Sequence, residues 1–193
     1  MKDKLLYKLL RPFLVIYMRI FYKPEIIGLE NIPKEGRCIL VANHSSNLDF
    51  ISMGITTKRC VHFLAKEELF VGILRPIMSG VGAIPVNRKT KDKTPIIRGR
   101  KVLDNNLVLG IFPEGTFNRT DDVVAPFKIG AVKLAKESNS VIIPIMIVGE
   151  YKFKKLKIIV DKPFWVETSD LDYENDKLMC RFKNRMKMYK GGK

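Results

Sequence analysis

Hydrophobic positions along the chain fall into short continuous apolar runs that are separated by stretches with helical spacing. Short runs rich in Val, Ile and Leu are typical of strands that are buried on both faces of a sheet. Such runs lie at 38–42, 61–64, 83–86, 107–112 and 141–148, and alternation at 155–160 predicts an edge strand. Helical spacing predicts helices at 48–57, 67–78, 96–105, 127–138 and 173–189.

This alternation of strands and helices predicts the α/β class. The expected architecture is a mostly parallel or mixed sheet that is covered by helices. A length of 193 residues suits one core, and no internal repeat or linker divides the chain. We therefore predict one domain over residues 28–193, preceded by a separate helical segment over residues 1–27.

The N-terminal segment has the pattern of a helix at a membrane interface. At about 100° per residue, Lys4, Lys8, Arg11 and Arg19 fall within an arc of roughly 80°, and the rest of the circumference is apolar. The longest uncharged run, 12–18, is far shorter than the roughly 20 residues that span a bilayer. A basic stripe on an amphipathic helix predicts association with the membrane surface. The alternative is a core helix that packs on the domain.

Net charge indicates an anionic partner. The chain has 35 Lys and Arg against 20 Asp and Glu, which leaves +15. Because no aromatic–basic RNA motif accompanies this charge, an anionic membrane surface is expected and nucleic acid is not. The cysteines Cys38, Cys60 and Cys180 are odd in number and lack metal spacing, which fits reduced thiols. The expected location is the cytoplasmic face of the cell membrane, peripheral or monotopic.

Polar residues follow three of the predicted strands, where candidate chemistry is concentrated. His44 and Asp49 follow the first strand, Arg88 ends "GAIPVNR", and "FPEGTFNR" follows another strand at 112–119. The carboxyl ends of parallel strands meet at one edge of a sheet, so these residues are expected in one pocket. The alternative is that residues 44–49 are only the polar start of a helix.

A His and an Asp in this spacing suit acyl transfer to an alcohol. The imidazole can take the proton of the attacking hydroxyl, while the carboxylate orients the ring from its other nitrogen. The hydroxyl would come from the substrate, since no G-x-S-x-G motif is present. Only His62, itself expected in the core or an edge strand, could join His44 at a metal. The sequence has no H-E-x-x-H or C-x-x-C, so we predict neither a metal site nor a bound cofactor.

Four blocks in register resemble the glycerolipid acyltransferases, and among them the 1-acyl-sn-glycerol-3-phosphate acyltransferases. The blocks are N-H-x4-D at 43–49, G-x-I-P-V-x-R at 82–88, F-P-E-G-T at 112–116 and V-I-I-P-I at 141–145. The resemblance implies that His44 and Asp49 are the catalytic dyad. It also implies that the acceptor is bound by a second group of residues, Arg88, Glu114, Gly115 and Thr116.

The same resemblance implies a reaction. A fatty acyl group would pass from acyl carrier protein or coenzyme A, as a thioester co-substrate, to the free sn-2 hydroxyl of lysophosphatidic acid, giving phosphatidic acid. Members of the family commonly carry Arg after E-G-T, where this chain has Phe117. We therefore expect Arg88, together with Arg119 or Lys128, to contact the acceptor phosphate. The alternatives are an acyltransferase for another lysophospholipid or glycerol 3-phosphate, and a non-enzymatic protein that binds anionic lipid or RNA.

Overall fold

The computed structural model describes residues 5–86 and 94–190. The strands are β1 (Glu25–Ile27), β2 (Cys38–Ala42), β3 (Val61–Lys66), β4 (Ile84–Val86), β5 (Val108–Ile111), β6 (Val141–Gly149) and β7 (Leu156–Val160). The α-helices are α1 (Leu5–Phe21), α2 (Asp49–Ile55), α3 (Leu74–Gly80), α4 (Thr94–Asp104), α5 (Gly130–Ser138) and α6 (Leu171–Lys190).

The strands form one mixed, mostly parallel sheet in the order β1-β7-β6-β2-β5-β3-β4. Neighbouring strands are parallel except β6 and β7, which are antiparallel. The predicted fold class is therefore confirmed. The prediction that 155–160 is an edge strand is wrong, because β1 pairs with the outer side of β7. β1 has only three residues, begins with a charged glutamate and buries none of them fully, so its sequence lacks the continuous apolar run by which the other strands were predicted.

Helices cover both faces of the sheet, which explains the continuous apolar runs. Every residue of β2 is buried. Ile39 and Val41 pack in a cluster with side chains of α4, α5 and α6. Leu40, one position along, faces the opposite way and packs with Met18 of α1 and Met53 of α2. The side chains of β2 thus alternate between two apolar layers.

The segment predicted as one helix over 67–78 is divided in the structure. A 3₁₀ turn covers Glu67–Leu69, and α3 begins only at Leu74. Gly72 lies between them with a φ of +49°, in the left-handed region that ends helices. The helical spacing of the apolar residues gave no sign of this interruption.

Helix α1 packs on the domain along one side and exposes an apolar surface on the other. It continues through Pro12 as one helix. Met18 is fully buried, and Arg11 donates hydrogen bonds to Thr57 O (2.6 Å) and Ile55 O (2.8 Å) at the end of α2. Arg11 therefore contacts the domain instead of joining an exposed basic stripe, and Lys4 lies outside the described residues.

The outer side of α1 is strongly apolar. The exposed side chains there include Leu5, Leu9, Phe13, Ile16 and Ile20. Within the described part of the chain, no helix is both long and apolar enough to cross a bilayer. Helix α1 thus packs against the core, as the alternative interpretation expected, and the association of its apolar outer side with a membrane stays a prediction.

Helix α6 is tied to the sheet by a buried carboxylate. Asp161, directly after β7, accepts hydrogen bonds from Arg181 Nε (2.8 Å) and Arg185 Nη2 (2.8 Å). Burial alone would raise the pKa of Asp161, but the bonds from the two arginines outweigh it and leave that pKa below its usual value. The ionised form of Asp161 is therefore favoured by folding.

Candidate active site

The polar residues after β2 begin with Asn43, whose side chain extends the sheet by one residue. The buried Asn43 amide donates to Ile147 O (3.0 Å) and accepts from Ile147 N–H (2.8 Å). These two bonds replace a backbone pair between β2 and β6. They fix the end of β2 and so the position of the His44 backbone.

His44 and Asp49 are hydrogen-bonded to each other. His44 Nδ1 lies 3.0 Å from Asp49 Oδ2. Asp49 is the first residue of α2 and is fully buried, and its Oδ2 also accepts the backbone N–H groups of Ser45 (2.6 Å) and Ser46 (2.7 Å). The residue before α2, Leu48, makes no side-chain cap bond. The segment is therefore organised around a His–Asp contact and is more than a helix start.

Asp49 has a further partner that the sequence analysis missed. The Tyr151 hydroxyl donates to Asp49 Oδ1 at 2.6 Å and lies 2.9 Å from Ser52 Oγ. Burial and the adjacent Asp49 carboxylate raise the pKa of Tyr151 well above its usual value, so the phenol stays protonated. Tyr151 lies 102 residues after Asp49, between β6 and β7, and no local pattern links the two.

Glu114 holds the backbone of His44 in place. Its Oε1 accepts the His44 N–H at 2.7 Å and its Oε2 accepts the Ala125 N–H at 2.8 Å, while Asn118 N–H donates to His44 O at 2.7 Å. Burial raises the pKa of Glu114, and the two N–H bonds oppose that rise only in part. Both carboxylate oxygens are thus used inside the protein.

The His44 ring lies between two phenylalanines. It stacks on Phe112, with ring centroids 4.1 Å apart and planes 16° from parallel, and meets Phe117 at 4.4 Å and 61°. Its side chain is 15% exposed. Phe117 therefore lies against the imidazole, at the position where the resemblance leads one to expect an arginine.

A cavity of about 360 Å³ adjoins this site. Among residues 5–86 and 94–190, the lining is apolar apart from one charged side chain, and its members are Leu64, Val86, Pro95, Ile111, Phe112, Pro113, Gly115, Lys128, Gly130 and Ala131. Gly115 has a φ of +71°, and a Cβ there would lie 2.7 Å from Lys128 Nζ. The ammonium group therefore lies over a glycine that leaves room for it.

Residues 23–148 match the family model for acyltransferases, which is well over half of the chain. The chain belongs to the acyltransferase family. Family membership identifies it as an enzyme and removes the non-enzymatic alternative.

Several characterised proteins resemble this acyltransferase. A 1-acyl-sn-glycerol-3-phosphate acyltransferase of Bacillus subtilis is 29% identical over 147 residues, which are 72% of each chain. The human 1-acyl-sn-glycerol-3-phosphate acyltransferase beta is 34% identical over 113 residues, 56% of this chain and 40% of that protein. The chloroplastic enzyme BAT2 of Brassica napus, of the same name, is 28% identical over 166 residues, and the chain spans 48% of it.

A solved structure shows the same fold. The crystal structure of the 1-acyl-sn-glycerophosphate acyltransferase PlsC from Thermotoga maritima matches with a TM-score of 0.79 at 21% identity. The match covers 96% of this chain and 80% of that one. The α/β architecture predicted from the sequence is thus that of a known acyltransferase.

The structure brings some of the other predicted site residues of this acyltransferase to the cavity and leaves others outside it. Gly115 and Lys128 line the cavity, whereas the exposed Thr116 and Arg119 are absent from the described lining. Arg88 lies outside the described residues, two positions after Val86, which does line the cavity.

The second histidine of this acyltransferase is part of the core. His62 is fully buried in β3, with Nδ1 3.3 Å from Val108 O, as its apolar neighbours predicted. Across residues 5–86 and 94–190, no cluster of three His, Cys, Asp or Glu side chains is placed to hold a metal ion.

Proposed function

We propose that the chain transfers a fatty acyl group from an acyl carrier protein or coenzyme A thioester to the sn-2 hydroxyl of 1-acyl-glycerol 3-phosphate, giving phosphatidic acid. The names of the similar enzymes support this acceptor. The observation that carries the proposal is the contact between the buried Asp49 carboxylate and His44 Nδ1 beside a largely apolar cavity. The thioester is a co-substrate, and the proposal includes no bound cofactor.

His44 is the general base of this proposal. With the Nδ1 proton donated to Asp49, the other ring nitrogen, Nε2, carries a lone pair. Nε2 takes the proton of the acceptor hydroxyl as its oxygen attacks the thioester carbonyl carbon. Asp49 fixes this tautomer and stabilises the imidazolium that forms, which is the role of the carboxylate in the serine protease triad. A base of this kind contributes about 10²- to 10⁴-fold to the rate.

His44 then passes the proton on to the leaving group. The tetrahedral intermediate collapses, the carbon–sulfur bond breaks, and the imidazolium gives its proton to the departing thiolate sulfur. The products are the ester and the free thiol, and His44 is again neutral. Glu114 serves the reaction indirectly in this account, because both its oxygens hold backbone groups and one of those groups is the N–H of His44.

Lys128 is our candidate for one of the cations that hold the acceptor phosphate. A phosphate that enters a partly dry cavity needs more than one cation to offset its lost hydration. Lys128 is the charged residue among the described cavity-lining residues. We propose Arg88 as its partner because Arg88 follows the lining residue Val86 in the same sequence block. Arg119, exposed and outside the described lining, is expected to contribute less.

A second acceptor class is favoured by one feature, the position of Phe117. An aromatic ring against His44 cannot bind a phosphate, so the chain lacks one cation that the resemblance leads one to expect. An acceptor whose phosphate carries less charge, such as another lysophospholipid with a phosphodiester head group, is therefore the alternative to be measured. Glycerol 3-phosphate, the other alternative, has the same phosphate monoester as lysophosphatidic acid and differs in lacking the acyl chain.

We propose that the enzyme works at an anionic membrane surface on the cytoplasmic side. The apolar outer side of α1 and the net charge of +15 both favour such a surface. Lysophosphatidic acid is an amphiphile, so a protein bound at the surface meets its acceptor there.

The test is a matrix of donors and acceptors with detergent-solubilised full-length protein. The donors are acyl-CoA and acyl carrier protein thioester. The acceptors are lysophosphatidic acid, its dephosphorylated monoacylglycerol analogue, lysophosphatidylcholine and glycerol 3-phosphate. We expect lysophosphatidic acid to be preferred, with the monoacylglycerol much poorer. Equal use of these two by the wild type would contradict the phosphate role.

Variants locate the phosphate contact. Lys128→Ala and Arg88→Ala should raise the KM for lysophosphatidic acid while changing the donor KM little. Lys133→Ala is the matched control, because Lys133 is half-exposed on α5 and faces Glu137 at 3.9 Å. A Lys128→Ala enzyme with an unchanged acceptor KM would remove Lys128 from the phosphate site.

A further inference from the structure

A chain of hydrogen bonds lies behind Asp49, on the side away from His44. Ser52 Oγ lies 2.9 Å from the Tyr151 hydroxyl oxygen, which lies 2.6 Å from Asp49 Oδ1. We propose that Tyr151 is a positioning residue for the Asp49–His44 pair and that Ser52 fixes the direction in which the Tyr151 hydroxyl donates. This inference rests on the proposed function for its kinetic test.

The direction of each bond follows from the chemistry of the groups. An ionised carboxylate only accepts, so the Tyr151 hydroxyl must donate to Asp49. The Tyr151 oxygen is then left as an acceptor, and Ser52 donates to it. Because Ser52 is fully buried, its hydroxyl has no competing bulk water. The order of donation is Ser52 to Tyr151 to Asp49.

The two oxygens of Asp49 accept hydrogen bonds from different partners. Oδ2 accepts from His44 Nδ1 and from the backbone N–H groups of Ser45 and Ser46. Oδ1 accepts from Tyr151, a bond that opposes rotation of the carboxylate about its own axis. Without that bond, Oδ1 would be a buried acceptor with one partner fewer, and Asp49 would hold the imidazole less firmly.

The Tyr151 ring packs against the ring of Tyr22. It meets the Tyr22 ring edge-on, with centroids 5.6 Å apart and planes at 87°. Lys154 N–H donates to Tyr22 O at 2.8 Å, which ties the connection between β6 and β7 to the end of α1. Tyr22 therefore packs against Tyr151, while its own hydroxyl faces Tyr17 and not the site.

Three variants separate the positioning role from general packing. Tyr151→Phe removes the hydroxyl and keeps the ring, and Ser52→Ala removes the donor to Tyr151. Tyr22→Phe is the matched control, since it removes a neighbouring tyrosine hydroxyl that does not reach Asp49. A hydrogen bond to a charged group is worth enough that its loss should lower kcat about tenfold. We expect that loss for Tyr151→Phe, a smaller loss for Ser52→Ala, and wild-type kcat for Tyr22→Phe, each with acceptor KM unchanged.

A second measurement does not depend on activity. The chain has two histidines, so the side-chain NMR spectrum of ¹⁵N-histidine-labelled protein contains signals of only His44 and His62. The Tyr151 bond holds Asp49 Oδ1 in place, so its loss should let the carboxylate rotate and weaken its bond to the Nδ1–H group of His44. The Nδ1–H signal of His44 should then shift, and its proton should exchange faster with water, in Tyr151→Phe. Glu114, the other carboxylate that acts on His44, is left in place, and the His62 signal should not move.

The outcomes distinguish this inference from the proposed function. If Tyr151→Phe lowers thermal stability but leaves both kcat and the Nδ1–H signal of His44 unchanged, Tyr151 is only structural and the inference is overturned. If Tyr151→Phe does not fold, Ser52→Ala must show the same two effects at smaller size, or the inference fails. A wild type that acylates none of the four acceptors would refute the proposed function, while the Nδ1–H signal of His44 would still decide the role of Tyr151.

Discussion

Glu114→Gln is the substitution whose effect the structure determines most closely. The two carboxylate oxygens of Glu114 accept the N–H groups of His44 and Ala125, at 2.7 Å and 2.8 Å. A glutamine amide has one oxygen, so whichever way it is oriented its NH₂ group faces an N–H donor. One partly buried N–H is then left without an acceptor, and two bonds to a charged group become one bond to a neutral group.

The expected loss in the free energy of unfolding can be derived from these contacts. An unsatisfied buried donor costs about 1–3 kcal/mol. Burial already raises the pKa of Glu114, so the neutral amide recovers part of this cost by avoiding the desolvation of a charge. We expect a net loss of about 2 kcal/mol in the free energy of unfolding, which corresponds to a fall of about 4–8 °C in Tm for a chain of this size.

Urea unfolding followed by circular dichroism measures this change, and acyl transfer measured on the same preparation gives kcat. Because one of the two groups is the N–H of His44, kcat should fall as well, with little change in either KM. Glu137→Gln is the control, since Glu137 is exposed and pairs with the similarly exposed Lys133 at 3.9 Å. It should change stability by less than about 0.5 kcal/mol. A Glu114→Gln protein as stable and as active as the wild type would refute the role of Glu114 in holding the backbone at His44 and Ala125.

Two further substitutions test the packing of the outer helices. Asp161→Asn should cost about 2–4 kcal/mol at neutral pH, because it leaves two arginines without their buried partner. The difference in the free energy of unfolding between this variant and the wild type should shrink as pH falls through the lowered folded-state pKa of Asp161, because the wild type then loses the same ion pairs. The control is Asp104→Asn, at an exposed pair, which should show neither effect when unfolding is measured across pH. Met18→Ala should cost about 2–5 kcal/mol in thermal unfolding, whereas Ile16→Ala, on the outer side of α1, should spare stability and weaken binding to anionic vesicles. Equal stability losses at the two α1 positions would contradict the two-sided description of that helix.

The parts of the fold that were predictable from the sequence are those determined by local pattern. The strands β2 and β6 could be recognised from their apolar runs, because strands that are covered on both faces exclude polar residues. The His44–Asp49 contact was predictable for a similar reason, since the five positions span only the strand end and the short turn that leads into α2. The order of the strands in the sheet depends on contacts between distant segments, and no local pattern encodes it.

The features that were missed depend on partners far apart in the chain. Tyr151 approaches Asp49 only because β6 lies beside β2, and Glu114 finds Ala125 and His44 only when its loop has folded. Arg11 appeared to belong to an exposed basic stripe because a helical wheel shows spacing but not what lies opposite each side chain. In each case the polar group meets a backbone or side-chain partner that is remote in sequence.

The central claim is that His44, oriented by Asp49, is the base for acyl transfer, and one measurement tests it most directly. Turnover of acyl-CoA with lysophosphatidic acid should be compared for wild type, His44→Ala and Asp49→Asn. The asparagine variant can keep the local structure, because its oxygen can accept from Ser45 and Ser46 while its NH₂ group donates to Tyr151. We expect kcat to fall about 10²- to 10⁴-fold in both variants, with wild-type circular dichroism. A folded His44→Ala protein that keeps more than about a tenth of wild-type turnover would contradict the claim, given the size of the contribution that such a base makes.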